Sequence, residues 1–173
     1  KVQTSIGTVD ALSATGSNGV YEFTVTVPDG QDGAVMVSLL PAAGTDWAAN
    51  ASVASNMITV IVDRTPPVPT IELVAPWVNP EGADAVENGP VAFKVTYNED
   101  VKNVTSTDIT VVGGTKGNFV PVSASEYTFT VAPADKSGEI TLQILENAGA
   151  IVDLAGNATT ASNEYVFVYD GSY

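Results

Sequence analysis

The chain repeats itself once, and the repeat constrains its architecture more than any other feature. YEFTVTVPDGQDGAVMVSLL, starting at Tyr21, matches YTFTVAPADKSGEITLQIL, starting at Tyr127, in pattern. GTDWAANASVASNMITVIVD, ending at Asp63, matches IVDLAGNATTASNEYVFVYD, ending at Asp170. The pair Asp46/Asn50 recurs as Asp153/Asn157, and Ala54-Ser55-Asn56 recurs as Ala161-Ser162-Asn163, at an offset of 105 to 107 residues. A period of that size is one supersecondary or domain unit, and it sets the fold before any local reading does. It suits a β-sandwich domain of about 100 residues.

Within each copy the hydrophobic period is two. Tyr21, Phe23, Val25 and Val27 fall on one strand face, as do Val35, Val37 and Leu39. Val91, Phe93, Val95 and Tyr97 alternate with Lys94 and Thr96, and Tyr127, Phe129 and Val131 alternate with threonines. This is the strand signal rather than the helical one. Gly, Asp, Asn and Pro clusters such as PDGQDG and PADKSG divide the runs as turns. Val, Thr, Ala, Ser and Gly dominate, and the fold class expected is all-β.

The second copy, residues 65–173, reads as a whole sandwich. Its seven expected strands are 70–74, 91–98, 108–112, 118–122, 127–131, 139–145 and 164–169. The first, residues 1–64, reads as the C-terminal part of a sandwich. Val2 aligns with Ile109, so the first copy lacks the counterparts of residues 65–107, which hold the first two strands. A sandwich without two strands exposes its core and sheet edges. Two completions follow. The chain is a piece of a longer multidomain protein, the simpler account, or another subunit supplies the strands and the assembly becomes a fibre.

Composition excludes several functions. Twenty acids against six bases give a net charge of −14, which disfavours nucleic acid and anionic lipid as partners. The chain has no Cys and no His, which removes thiolate metal sites, disulfides and any Ser-His triad. Carboxylates remain as the acid/base groups, but nearly all lie in turns or on polar strand faces, so no catalysis is expected. No apolar run reaches the roughly 18 residues of a membrane span.

The motifs together resemble the bacterial Ig-like domains found in tandem in large surface proteins and adhesins. They are the Thr65-Pro66-Pro67 opening, the acidic turn Asn98-Glu99-Asp100-Val101, Ser106-Thr107-Asp108-Ile109-Thr110-Val111, Thr128-Phe129-Thr130-Val131 and the DLAGN turn from Asp153 to Asn157. Residues 65–170 carry the whole pattern and residues 2–63 its later part. The resemblance implies tandem Greek-key Ig-like sandwiches, extracellular and bound to the bacterial surface, working as a non-catalytic stalk or fibre segment. An adhesin or carbohydrate-binding module and an accessory domain of a large secreted hydrolase are the alternatives. Neighbouring copies or completing subunits are the expected partners, with a surface glycan or protein receptor as a further class. The acidic turn departs from the family's single acid followed by Pro. The first copy's turn has Ala49 where the family prefers Gly.

One group of residues is the candidate site. Asp63 in the linker, Glu99 and Asp100, Asp153 and Asn157 gather at one end of a sandwich of this kind. Hard oxygen donors from several loops are what Ca²⁺ takes, at six to eight ligands. The competing reading makes each Asp a turn cap through its own backbone. Asp29 and Asp32 read as part of a hairpin turn. Trp77, in an irregular segment, is the candidate ligand contact. Trp47 aligns with Leu154, which favours burial. The Asn-x-Ser/Thr sequons at Asn50, Asn103 and Asn157 are explained by turn structure. Lys94 points to the polar face, which disfavours an isopeptide cross-link.

Overall fold

The computed structural model describes residues 1–17, 19–74, 90–146, 148 and 150–170. The chain divides into two compact units, Lys1–Arg64 and Thr65–Tyr173. Unit 1 holds β1 (Val2–Thr4), β2 (Thr8–Val9), β3 (Ser13–Ala14), β4 (Tyr21–Glu22), β5 (Val25–Thr26), β6 (Gly33–Leu39) and β7 (Ile58–Val62). Unit 2 holds β8 (Pro69–Leu73), β9 (Val91–Tyr97), β10 (Val101–Lys102), β11 (Ile109–Val112), β12 (Gly114–Pro121), β13 (Glu126–Pro133), β14 (Ser137–Ile144), β15 (Val152–Asp153) and β16 (Tyr165–Asp170). A 3₁₀ turn, Ser106–Asp108, precedes β11. No helix among the described residues is long and apolar enough to cross a membrane.

Unit 2 is built of two main antiparallel sheets. One has the order β8-β9-β13-β12 and the other β11-β14-β16. Four strands facing three, with the connections β9 to β11, β11 to β12 and β13 to β14 passing between sheets, is the constant-type Ig arrangement. The alternation predicted from sequence sets the inner faces. Ile71, Val91, Phe93, Val95, Tyr97, Phe129 and Val131 point inward from the first sheet, and Ile109, Ile140, Leu142, Ile144 and Phe167 from the second. Register stacks them, with Phe129 opposite Phe93 and Tyr127 opposite Val95. Phe93 stacks on Phe129 at 5.6 Å and meets Tyr165 and Phe167 edge-on at 5.7 and 6.1 Å. Such pairs add about 0.5–1.5 kcal/mol each beyond buried area. On the outer face Lys94 pairs with Glu72 at 3.4 Å, as the polar-face reading requires.

Local chemistry finishes the edges. At Gly113, φ is +81°, and a Cβ there would lie 2.2 Å from the Glu139 carbonyl oxygen. Only glycine makes that turn between β11 and β12. The 3₁₀ turn is closed by Asp108, whose Oδ2 accepts from the Thr105 amide at 2.7 Å and from its hydroxyl at 2.8 Å. The Lys116 ammonium donates to the carbonyls of Ser106 and Ile109, and burial lowers its pKa. β12 carries an irregularity between Gly117 and Val120, which twists this edge strand away from flat pairing.

The register also fixes where the chain enters and leaves unit 2. Pro69, opening β8, faces Tyr97 at the end of β9. β13 begins at that same end, with Glu126 facing Thr96. β13 finishes at Pro133, and a short turn leads to Ser137, which faces Asp170 at the end of β16. The two passages therefore lie at opposite ends of the sandwich.

Unit 1 has a three-stranded sheet, β1-β6-β7, with two short ribbons, β2-β5 and β3-β4. Its outer–middle–outer order matches β11-β14-β16. Its interior is thin, and among the described residues Val35 is its one fully buried apolar side chain. Tyr21 and Phe23, expected on an inward face, are 58% and 38% exposed. Arg64, which reads as a mere linker base, ties down the β5–β6 turn. Its guanidinium donates to the carbonyls of Val27, Pro28 and Gln31, and its amide to Asp32 Oδ1 at 3.2 Å. Asp32 thus serves a hairpin turn.

Removing the ring at the centre of unit 2 tests this packing. Phe93→Ala is expected to destabilise unit 2 by about 3–5 kcal/mol in denaturant unfolding, the range for a buried aromatic truncated to Ala.

Candidate functional site

The site grows from the turn that closes each copy. In unit 2 the bend after β15 is organised by one carboxylate. Asp153 Oδ1 accepts from the amides of Gly156 at 2.6 Å and Asn157 at 2.9 Å, and Oδ2 accepts from Asn157 Nδ2 at 2.7 Å. The Asp153 amide donates to the Asn157 carbonyl at 3.1 Å. Gly156 is left-handed, at φ +100°. In unit 1 Asp46 does the same. Its Oδ1 accepts from Ala48 at 2.8 Å and Asn50 at 2.9 Å, and its Oδ2 from Asn50 Nδ2 at 3.0 Å. The residue equivalent to Gly156 is Ala49, held at φ +65°. The side-chain network holds Ala in a region that costs an L-residue about 1–2 kcal/mol.

The turns differ in setting. Asp153 is buried, whereas Asp46 is exposed. Burial alone would raise the Asp153 pKa, but hydrogen bonds from Asn157, Gly156 and Ala155 bring it below the ordinary value. The Asn50 side chain does most to lower Asp46. Asn50 and Asn157 are thus structural members of their turns. Asn103 is left-handed, at φ +67°, and donates to the Ala150 carbonyl at 3.1 Å.

Around Asp153 unit 2 gathers one further acid. A carboxylate oxygen of Glu99, just beyond β9, lies within 4.8 Å of one of Asp153. β10 aids this approach, since Val101 pairs with Asp153. Asp100 is exposed, and its charge acts on Tyr127, whose phenol pKa is raised by burial first and by Asp100 second. Asp63 is half-buried and closes unit 1, two residues before Thr65. Two carboxylates this close repel each other unless a cation or hydrogen-bond donors intervene. Both groups are hard oxygen donors of the kind such a cation takes. The donor set thus fits a hard cation, while the turn geometry is fully accounted for without one.

The incoming segment is held at this end. The Pro67 carbonyl accepts from the Thr160 amide at 3.0 Å and the Thr159 hydroxyl at 3.2 Å, and the Val68 amide donates to Asn98 Oδ1 at 2.7 Å. The Asn163 side chain clamps β8, accepting from the Ile71 amide at 2.8 Å and donating to its carbonyl at 3.1 Å. Sequence reasoning found Asn163 only as a repeated letter. Its place just after a buried serine, where the chain returns to the sheet, was the available signal.

Trp77 lies outside the described residues. The burial expected for Trp47 is not observed. Trp47 is fully exposed, and Leu154, its counterpart, is 67% exposed. Both sit at the tip of the Asp-x-x-x-Asn turn, where the backbone bends around the carboxylate and throws the next side chain outward.

Residues 69–169 match the family described as bacterial Ig-like domain. No curated protein matches the chain.

The Asp153 turn predicts an acid-sensitive stability. A carboxylate with a depressed folded pKa contributes stability that is present above its unfolded value of about 3.9. That contribution is lost as the pH falls through the folded value. Unit 2 should therefore hold its melting temperature down to about pH 4 and lose it below. Asp153→Ala should remove this acid limb and cost about 1–3 kcal/mol at neutral pH, by stranding the turn donors. Asp46→Ala should cost unit 1 less, because its donors reach water. Melting curves of the two variants from pH 2 to 7 check this.

Proposed function

Because this chain belongs to the bacterial Ig-like domain family, whose members are generally non-catalytic structural domains of surface proteins, we propose that it is a stalk segment of an extracellular bacterial surface protein. The observation that carries the reading is the placement of the two passages of unit 2 at opposite ends of the sandwich. A force drawn along the chain then pulls β8 along β9 and β16 along β14. The five register pairs of the first ladder and the six of the second are loaded together rather than one after another. Shear of whole ladders resists force better than unzipping from one end. On this reading residues 1–64 are the later part of a second sandwich, so the chain is a stretch of a tandem array. The linker prolines Pro66 and Pro67 stiffen the joint by fixing φ.

The close approach of Glu99 and Asp153 favours a second component, a Ca²⁺ ion at the end where the chain enters unit 2. Glu99 and Asp153 are its proposed anchors. Asp100 and Asn157 are the further candidate oxygens within unit 2, and water fills the rest of the shell. Such an ion would tie the end of β9 to the β15 turn.

Two measurements test these readings. In single-molecule pulling from the two termini, unit 2 should open in one step, lengthening the chain by roughly 300–350 Å, the reach of a released domain of this size. Gradual extension at low force would overturn the mechanical reading. For the ion, the melting temperature should rise in millimolar Ca²⁺ over a chelator control, as mass action requires of a native-state ligand. Glu99→Gln should abolish the rise. Equal melting with and without Ca²⁺ would remove the ion from the account.

A further inference from the structure

We propose that the cavity beside the irregularity in β12 is a binding site for a small monocarboxylate with a branched or aromatic apolar end, and that the Lys116 ammonium receives the carboxylate. The site lies within unit 2 and depends on neither the stalk nor the calcium reading.

A bulge makes the opening. β12 is the outer strand of its sheet, and its pairing to β13 breaks between Gly117 and Val120. Gly117 still faces Thr130 and Val120 faces Thr128, so Asn118 and Phe119 together oppose Phe129, the two-to-one count of a bulge. Asn118 stands in the left-handed region at φ +46°, which Asn tolerates better than most residues. Between this bulge and the 3₁₀ turn that leads into β11 lies a cavity of about 130 Å³. Bulges recur where a strand re-aims its side chains beside a site.

The lining divides by chemistry. Ile109 and Phe129 are buried apolar residues, and Phe119 is a half-buried ring held by stacking on Tyr127 at 5.8 Å. The polar lining residues are the more open ones, Ser106 and Lys116 half-buried and Asn118 exposed. No acid lines the cavity among the described residues. An apolar cavity of about 150 Å³ is large enough to take benzene. This one is of similar size, and it suits a phenyl ring or a branched alkyl group with its polar end toward Lys116.

Charge selects the polar end. An ammonium carries three donors, and Lys116 gives bonds to two carbonyls, those of Ser106 and Ile109. These bonds fix the cation in place and leave it one donor. Asp108 is close enough for its charge to act on Lys116, but its Oδ2 is engaged by Thr105 and it does not line the cavity. A carboxylate forms a charge-assisted bond with the remaining donor, roughly twice as strong as the bond a neutral hydroxyl pair makes. The matching ribbon of unit 1, β2–β5, forms although residues 2–63 contain neither Lys nor Arg, so strand pairing at this place does not itself call for a cation. With a net charge of −14, the chain repels anions over most of its surface, which singles out a built-in ammonium beside an apolar cavity. A free small acid and the C-terminal residue of a peptide both carry this chemistry.

The test is a titration of the full chain, isotope-labelled for NMR, at constant ionic strength. The probes are benzoate, isovalerate, benzyl alcohol, benzylamine and a blocked tripeptide ending in phenylalanine. Benzoate and isovalerate should give saturable shifts in the amides of Lys116, Gly117, Asn118 and Phe119. Benzyl alcohol should bind about tenfold more weakly, the worth of one hydrogen bond to a charged group, and benzylamine should leave these amides unmoved. Lys116→Gln should bring benzoate down to the level of the alcohol, while Lys116→Arg should keep most of the preference. A tripeptide that binds more tightly than benzoate assigns the site to a chain terminus, and one that binds more weakly assigns it to a free acid. Equal binding of benzoate and benzyl alcohol would overturn the proposal, as would shifts that do not saturate or that follow Lys94, Lys102 and Lys136 as strongly as Lys116. Should Lys116→Gln fail to fold, the comparison of acid, alcohol and amine on the unaltered chain decides the matter alone.

Discussion

The two sheets of unit 2 meet through a shared apolar core with the Phe93 ring at its centre. Phe93 comes from the four-stranded sheet, and the rings it meets edge-on, Tyr165 and Phe167, come from the last strand of the opposite sheet. Each sheet alone would be a half-wet ladder, and the aromatic contact across the gap makes them a sandwich. The rest of the structure presupposes it. The Asn163 clamp on Ile71 requires the first sheet to stand beside the turn leading into β16. The meeting of Glu99 with Asp153 likewise requires the end of β9 to be fixed against the β15 turn. In unit 1 the three-stranded sheet forms while Tyr21, Phe23 and Val60 stay exposed.

Much of this was legible in the sequence because backbone ladders and period-two alternation are local. Strand positions in unit 2 fell within a few residues of those expected, and the burial alternation along β9 and β13 follows the letters directly. β12 was the exception. It starts at Gly114, earlier than its letters suggest, because ladder pairing to β13 outweighs the weak strand propensity of Gly114 and Gly117. What could not be read was exposure in the turns. Trp47 and Leu154 share an apolar character that argues for burial, yet the Asp-x-x-x-Asn hydrogen bonds decide their direction. Nor could the letters show that Arg64 folds back on three carbonyls of its own unit, since nothing in a linker sequence names a carbonyl as partner.

The candidate site divides along the same line. Asp153 and Asn157 were recognisable because the repeat supplied a second instance of their spacing. Glu99 and Asp100 were not separable by sequence, because neighbours in a chain differ in direction only once the backbone is set. The structure gives them different surroundings, Glu99 beside Asp153 and Asp100 acting on Tyr127.

The Asp-x-x-x-Asn turn has a consequence of its own. Its hydrogen bonds engage the carboxylate, the asparagine and intervening amides, and none engages the side chain at the tip. That side chain is held out in solvent on a rigid mount, and its identity is free. One unit places tryptophan there and the other leucine, with the same bonds beneath. The position is thus a display point. A fluorophore, an epitope or a new contact residue can be mounted on it while the turn underneath stays the same.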